Sequence, residues 1–222
     1  SIFARAGLET IGGFTQDYYV AYALCATFLS RISSSWMYEF RMINEIESGS
    51  VNSLIVRPMS FYEYYLSQLL GYKFITTVFS LIIPLCAVLI YRLPFHWDRL
   101  PISLLLVFYY LILVHSLSFL VSCFAFFLNR IQGITTAKNL GLWLLSGELF
   151  PLDLLPEPLK TIMIHLPFAN AVYVPTGYLT GRIDSSFIKN GFISVTVGII
   201  IVNTIGYWFW RRGLKAYVGT GA

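Results

Sequence analysis

Five long apolar runs alternate with short polar connections along the chain. They occupy residues 17–38, 68–92, 101–128, 131–150 and 187–211. Each approaches or exceeds the 20 or so mostly apolar residues that an α-helix needs to cross a bilayer. Lipid-facing strands would alternate apolar and polar side chains, and these runs are continuous, so the pattern predicts helices and not a barrel. The first run is the most polar, because Arg31 and Ser33–Ser35 interrupt its end. The third contains His115 as its one ionisable group other than cysteine and tyrosine, and the fourth contains Lys138 and Glu148. The expected fold is an all-α polytopic membrane protein with five spans. Residues 1–16 and 151–186 fall on one side of the membrane, and residues 39–67 and 212–222 on the other.

Composition agrees with that pattern. Charged residues are 12% of the 222 and hydrophobic residues 57%, against about 25% charged in an ordinary soluble domain. Mean hydropathy is +0.70. The net charge of +4 comes from scattered bases that form no stripe, so nucleic acid is not an expected partner and membrane lipid is. Cys25, Cys86 and Cys123 all lie inside apolar runs without metal-ligand spacing and read as buried small apolar residues. The chain starts at Ser1 without a cleavable leader pattern, so it is expected to begin inside a longer polypeptide.

Orientation follows from the bases near run ends. The C-terminal "WRRGLKAYVG" assigns that end to the cytoplasm, and counting back assigns residues 39–67 to the cytoplasm as well. Nine Lys and Arg then lie inside and six outside. The localisation expected is the cytoplasmic (inner) membrane, crossed several times.

The connection at residues 39–67 is more ordered than a tether needs to be. Gly49 can end a helix running through Glu39–Glu47. Ser50 can cap a short helix in which Val51, Leu54 and Ile55 share one face. Pro58 ends it at Arg57. Ser60 and Glu63 form a Ser-x-x-Glu capping box that opens the next helix. The expected product is a compact knob exposing Glu45, Glu47 and Arg57. It serves either as an interfacial helix burying its own apolar face in the membrane surface or as a docking element.

The stretch "EIESGSVNSLIVRPMSFYEYYLSQLLGYK" resembles the cytoplasmic coupling segment of ABC exporter permeases of the type-2 class. Leu144–Gly181, "LLSGELFPLDLLPEPLKTIMIHLPFANAVYVPTGYLTG", is similar to that family's extracellular region, and "GLKAYVGTGA" to the tail of its viologen and small-drug exporter branch. The resemblance implies a permease whose fold has six spans, of which five are seen here. It implies a second permease, the same chain or a relative, and an ATP-binding subunit that receives the coupling helix through Glu45, Glu47, Gly49, Val51, Leu54, Ile55, Arg57 and Pro58. No Gly-x-x-x-x-Gly-Lys-Ser/Thr occurs, so ATP and Mg are expected on that separate subunit, with no cofactor on this chain and no catalytic or metal site.

Beyond Glu148, three prolines in "LFPLDLLPEP" oppose a continuous helix. Leu159, Ile162, Met163 and Leu166 then give a short amphipathic helix with Pro158 in its first turn, and Asn170 is expected to cap another toward Tyr178. These are read as interfacial helices or as a re-entrant pair over the outer mouth. Glu148, with Trp143 and Phe150 as aromatic neighbours, is the candidate contact for a small amphipathic or lipid-like cargo, a cationic one included. His115 is expected to pack with a hydrogen bond, and Lys73 and Lys138 to snorkel to headgroups. An ion-coupled transporter or an intramembrane enzyme is the alternative. The first predicts inverted repeats and the second a nucleophile–base pair, and neither is apparent.

Overall fold

The computed structural model describes residues 10–11, 14–128 and 130–217; the expected outer segment 1–16 and the tail 212–222 lie partly outside them. A two-residue antiparallel ladder pairs Thr10 with Thr15 and Ile11 with Phe14. Everything else that is regular is helical. The helices are α1 (Gln16–Ser33), α2 (Trp36–Glu47), α3 (Asn52–Ile55), α4 (Phe61–Tyr91), α5 (Leu100–Cys123), α6 (Gln132–Ser146), α7 (Glu157–His165), α8 (Tyr173–Leu179) and α9 (Ser185–Ala216).

Helix α5 is mostly apolar, with no continuous polar face, and lies at the centre. Leu106, Val107, Leu111, Leu113 and Phe119 are buried on different sides of it. Two apolar clusters are stacked along its length. One gathers Leu106, Tyr110 and Val114 with Tyr18 and Tyr22 of α1, Leu152, Met163 and Tyr173. The other gathers Leu111, Phe119 and Cys123 with Tyr38, Met42 and Ile46 of α2 and Phe61, Tyr62 and Leu69 of α4.

Helix α9 packs along α5 more extensively than any other pair of elements. The two run parallel in register: Gly191 abuts Leu106, Gly198 abuts Leu113 and Gly206 abuts Phe119, and Gly213 abuts Phe126 in the 3-10 turn just after α5. A Cβ at Gly206 would stand 3.1 Å from Phe119 Cδ1, so glycine is what lets the backbones approach. In lipid, where burying apolar surface against protein gains little over burying it against acyl chains, such close van der Waals contact is what holds helices together.

Among the described residues three helical stretches are long and apolar enough to cross a membrane: Phe61–Tyr91, Trp97–Phe126 and Ser185–Ala216. The other two expected spans differ in shape. Residues 17–38 do not form one helix, because the chain turns extended at Ser34 and restarts as α2 at Trp36. Residues 131–150 give only the 15-residue α6, about 22 Å long, ending where Gly147 adopts φ +79°. The expected burial of all three cysteines holds for Cys25 and Cys123, while Cys86 is exposed on α4. Near it, Phe79, Ile82, Ile83 and Ile90 also face outward.

Candidate functional site

The connection from α2 to α4 folds largely as its residue types dictate. Gly49 takes φ +80° and stops α2, with the Val51 amide donating back to the Glu45 carbonyl at 3.0 Å. Ser60 accepts from the Glu63 amide at 3.2 Å, and Glu63 Oε2 accepts from the Ser60 amide at 3.1 Å, closing the capping box. Those bonds hold the Glu63 carboxyl below its usual range. Between them α3 is a single turn. Its expected cap is absent: the Ser50 hydroxyl pairs with Ser48 Oγ, and Val51 takes the N-cap position.

The apolar side of this knob faces inward. Val51 and Leu54 are buried against α2, α4 and α5, so they anchor the knob and are not available to another protein or to a membrane surface. The side chain of Ile55 lies outside the described residues, and Gly49 is buried. What the knob presents outward is Glu47, Asn52, Ser53, Val56, Arg57, Pro58 and Met59. Val56 is 84% exposed and Met59 47% exposed, which makes an apolar tip that the sequence pattern did not single out. Arg57 leans over the Tyr64 ring at 5.7 Å. Glu45 is half-buried and hydrogen-bonds Tyr65; burial first, then that bond, pushes the Tyr65 phenol up.

Above the knob lies a buried polar group that links three helices. Glu39, in the first turn of α2, has a side chain with no solvent exposure and forms an ion pair with Lys138 of α6. Ser118 of α5 donates to Glu39 Oε2 at 2.7 Å and also accepts from Lys138 Nζ at 3.2 Å. Ser35, at the α1–α2 break, pairs with Ser118 at 3.0 Å. Lys138 therefore does not snorkel outward. The carboxylate and the ammonium are 99 positions apart, so no local spacing signals the pair. His115 behaves as a packing residue: its Nε2 lies 3.0 Å from the Tyr62 carbonyl, joining α5 to α4.

Trp143, Glu148 and Phe150 come together on a cleft of about 570 Å³ between α1 and the end of α6. Tyr19, Tyr22, Ser30 and Arg31 line its other wall. The turn after α6 is set against the middle of α1, with Tyr22 donating to the Gly147 carbonyl at 2.7 Å and Ser30 in hydrogen-bond reach of Glu148. Arg31 shares the cleft and acts electrostatically on that carboxylate, a neighbour the sequence pattern did not assign to it.

The segment after Phe150 is broken, as its prolines require. Helix α7 has Pro158 in its first turn. Asn170 caps nothing; its amide donates to the Pro167 carbonyl and to Ser194 of α9, both at 3.1 Å. The unanticipated hub is Asp153. Its side chain is 2% exposed and accepts from Tyr173 at 2.9 Å, with Lys160 at 3.2 Å and Arg182 at 3.4 Å. Burial, with Asp153 adding to it, pushes the Tyr173 phenol well up. Among the described residues no group of acids, histidines and cysteines could hold a metal ion.

The model of one protein family, described as ABC-2 family transporter protein, matches residues 2–221. Searches among curated proteins and among solved structures each return no match.

Proposed function

The chain belongs to the ABC-2 transporter family, and from that premise we propose that it is the membrane permease subunit of an ATP-driven exporter in the cytoplasmic membrane. It pairs with a second permease and is driven by a separate ATP-binding subunit, which carries the ATP and Mg. The cargo is a small amphipathic or lipid-like compound.

The observation that carries this reading is the two-sided knob. A connection that merely joined α2 to α4 would have no need to bury Val51 and Leu54 in the core while holding Val56, Arg57, Pro58 and Met59 in the open. An anchored knob passes a push on its tip to both flanking helices. Helix α2 carries it to Glu39, and through Glu39 to Lys138 on α6 and Ser118 on α5. Helix α6 ends at the cleft of Trp143, Glu148 and Phe150. A cleft with aromatic walls and one carboxylate suits an amphipathic molecule with a cationic part. Docking thus uses Glu47, Arg57 and Pro58 directly, with Val56 and Met59 between them. Val51, Leu54 and Gly49 shape the knob, and Glu45 braces it through Tyr65.

Co-purification with the ATP-binding subunit tests the reading. Replacing Val56 and Met59 with Asp changes two exposed positions, so the permease still folds and its elution profile is unchanged. Recovery of the ATP-binding subunit falls by at least about tenfold, the loss expected when an apolar hot spot is replaced by charge. Undiminished recovery would remove the knob as the docking element.

A further inference from the structure

A second pocket, of about 280 Å³, lies beside the break between α1 and α2, on the α4 side. Its charged lining residues are Arg31 and Lys73, and no carboxylate lines it. Lys73 is 7% exposed. Its ammonium donates to the Arg31 carbonyl and to Ser34 Oγ, the latter at 3.2 Å, which leaves one of its three N–H groups unassigned. Thr77, one turn further along α4, also lines the pocket, and its buried hydroxyl has no hydrogen-bond partner. A buried cation and an exposed one line a hollow with no carboxylate, and Thr77 leaves an unsatisfied hydroxyl in its wall, so an acceptor-rich anion entering it would meet charges and a donor that lack a counterpart. Lys73 thus does not extend freely outward, as its place near a span end suggests, but folds into this pocket.

We infer that this pocket binds the phosphate group of an anionic ligand, held by Lys73, Arg31 and the Thr77 hydroxyl. The inference rests on α4 crossing the membrane and not on the coupling knob or the cargo cleft. Lys73 lies about 27 Å from Tyr91 along α4. With Tyr91 at one boundary of a hydrocarbon layer about 30 Å thick, Lys73 sits close to the other, at headgroup level. From there outward α4 presents Phe79, Ile82 and Ile83 as an exposed apolar strip. That is the arrangement an acyl chain beneath a bound headgroup would follow. Basic pockets between membrane helices at headgroup depth select anionic lipids for this reason. Glu148 lies beyond Arg31 in the neighbouring cleft, so Lys73 is the cation committed to the pocket and Arg31 is shared.

The test titrates the purified full complex in detergent with phosphatidylglycerol, phosphatidylcholine or inorganic phosphate and follows the thermal unfolding midpoint. Phosphatidylglycerol is expected to protect at roughly tenfold lower concentration than phosphatidylcholine. Lys73→Gln and Arg31→Gln should each erase that preference, and Lys73→Arg should keep it. Thr77→Val should raise the lipid-free midpoint, by removing an unsatisfied buried hydroxyl, and shrink the gain on adding phosphatidylglycerol. Protection by inorganic phosphate that the same variants abolish would support the site and make a free phosphate group its source. A preference for phosphatidylglycerol unchanged in both Gln variants, or protection by neither anion, would overturn the inference. Should Lys73→Gln fail to fold because it also loses the Arg31 carbonyl contact, Arg31→Gln and Thr77→Val decide the question alone, since Arg31 is exposed.

Discussion

Lys138→Met isolates the buried Glu39 carboxylate. In the native chain Glu39 Oε2 receives both Lys138 and the Ser118 hydroxyl, while Oε1 has no partner among the described residues. Removing the ammonium leaves a carboxylate without solvent exposure and with one neutral donor. Breaking one side of a buried pair in this way costs about 3–5 kcal/mol. Thermal unfolding of the detergent-purified variant should therefore show a deficit of that size relative to the native chain. Glu39→Gln combined with Lys138→Met removes both charges and should recover most of the loss. A Lys138→Met variant as stable as the native chain at pH 7, or a double variant no better than the single one, would refute the reasoning.

Three single substitutions probe helix packing and capping. Gly213→Ala should lower the unfolding midpoint by an amount equivalent to about 1–3 kcal/mol, because the new methyl overlaps the Phe126 ring; Gly141→Ala on α6, where a Cβ meets nothing within 4 Å, should raise it by up to about 1 kcal/mol. Ser60→Ala should cost about 1 kcal/mol through the lost cap on α4. Because the native cap holds the Glu63 carboxyl below its usual range, its contribution is present above the unfolded-state value and fades as pH falls through the folded one, so the Ser60→Ala deficit should narrow in acid.

Sequence pattern locates the punctuation of this fold well and its pairings poorly. Gly49, the Ser60–Glu63 box and Pro158 act where their backbone chemistry puts them, since each is a local event. The break at Ser34–Ser35 is not local. Three serines carry no strong helix stop, and what holds the turn open is Ser35 on Ser118 and Lys73 on the Arg31 carbonyl. The i, i+3, i+4 spacing of Val51, Leu54 and Ile55 says that the knob has an apolar side. It cannot say that α2 and α4 already cover that side, which moves the open surface to Val56–Met59. The glycines at 191, 198, 206 and 213 stand seven or eight apart, a spacing visible in the sequence whose partners on α5 and the turn just after it only the packing identifies. Trp143, Glu148 and Phe150 are near neighbours in sequence, so their shared cleft was legible; Arg31 on its opposite wall was not.

The interrupted helices fit one rule about backbone groups. A helix end enclosed by other helices has little water to satisfy its last carbonyls, so an interruption there survives only where protein or a wet cavity supplies donors. Here the donors are specific side chains. Where α1 ends, Lys73 reaches the Arg31 carbonyl. Where α6 ends, Tyr22 reaches the Gly147 carbonyl at 2.7 Å, and Ser146 Oγ accepts the Glu148 amide. Each interruption also borders a hollow, the first the pocket of Arg31 and Lys73 and the second the cleft of Glu148. The three long apolar helical stretches, by contrast, put mostly aliphatic and aromatic side chains outward, Phe79, Ile83, Ile193 and Ile200 among them. The division of labour follows from this. The continuous α4 and α9 carry most of the exposed apolar surface, while the broken pair α1–α2, the short α6 and Ser118 of the central α5 share the polar group of Glu39 and Lys138. Helix α2 reaches α6 through Glu39 and Lys138, and Ser118 of α5 touches both that pair and Ser35 at the break, so the two interruptions share one polar group.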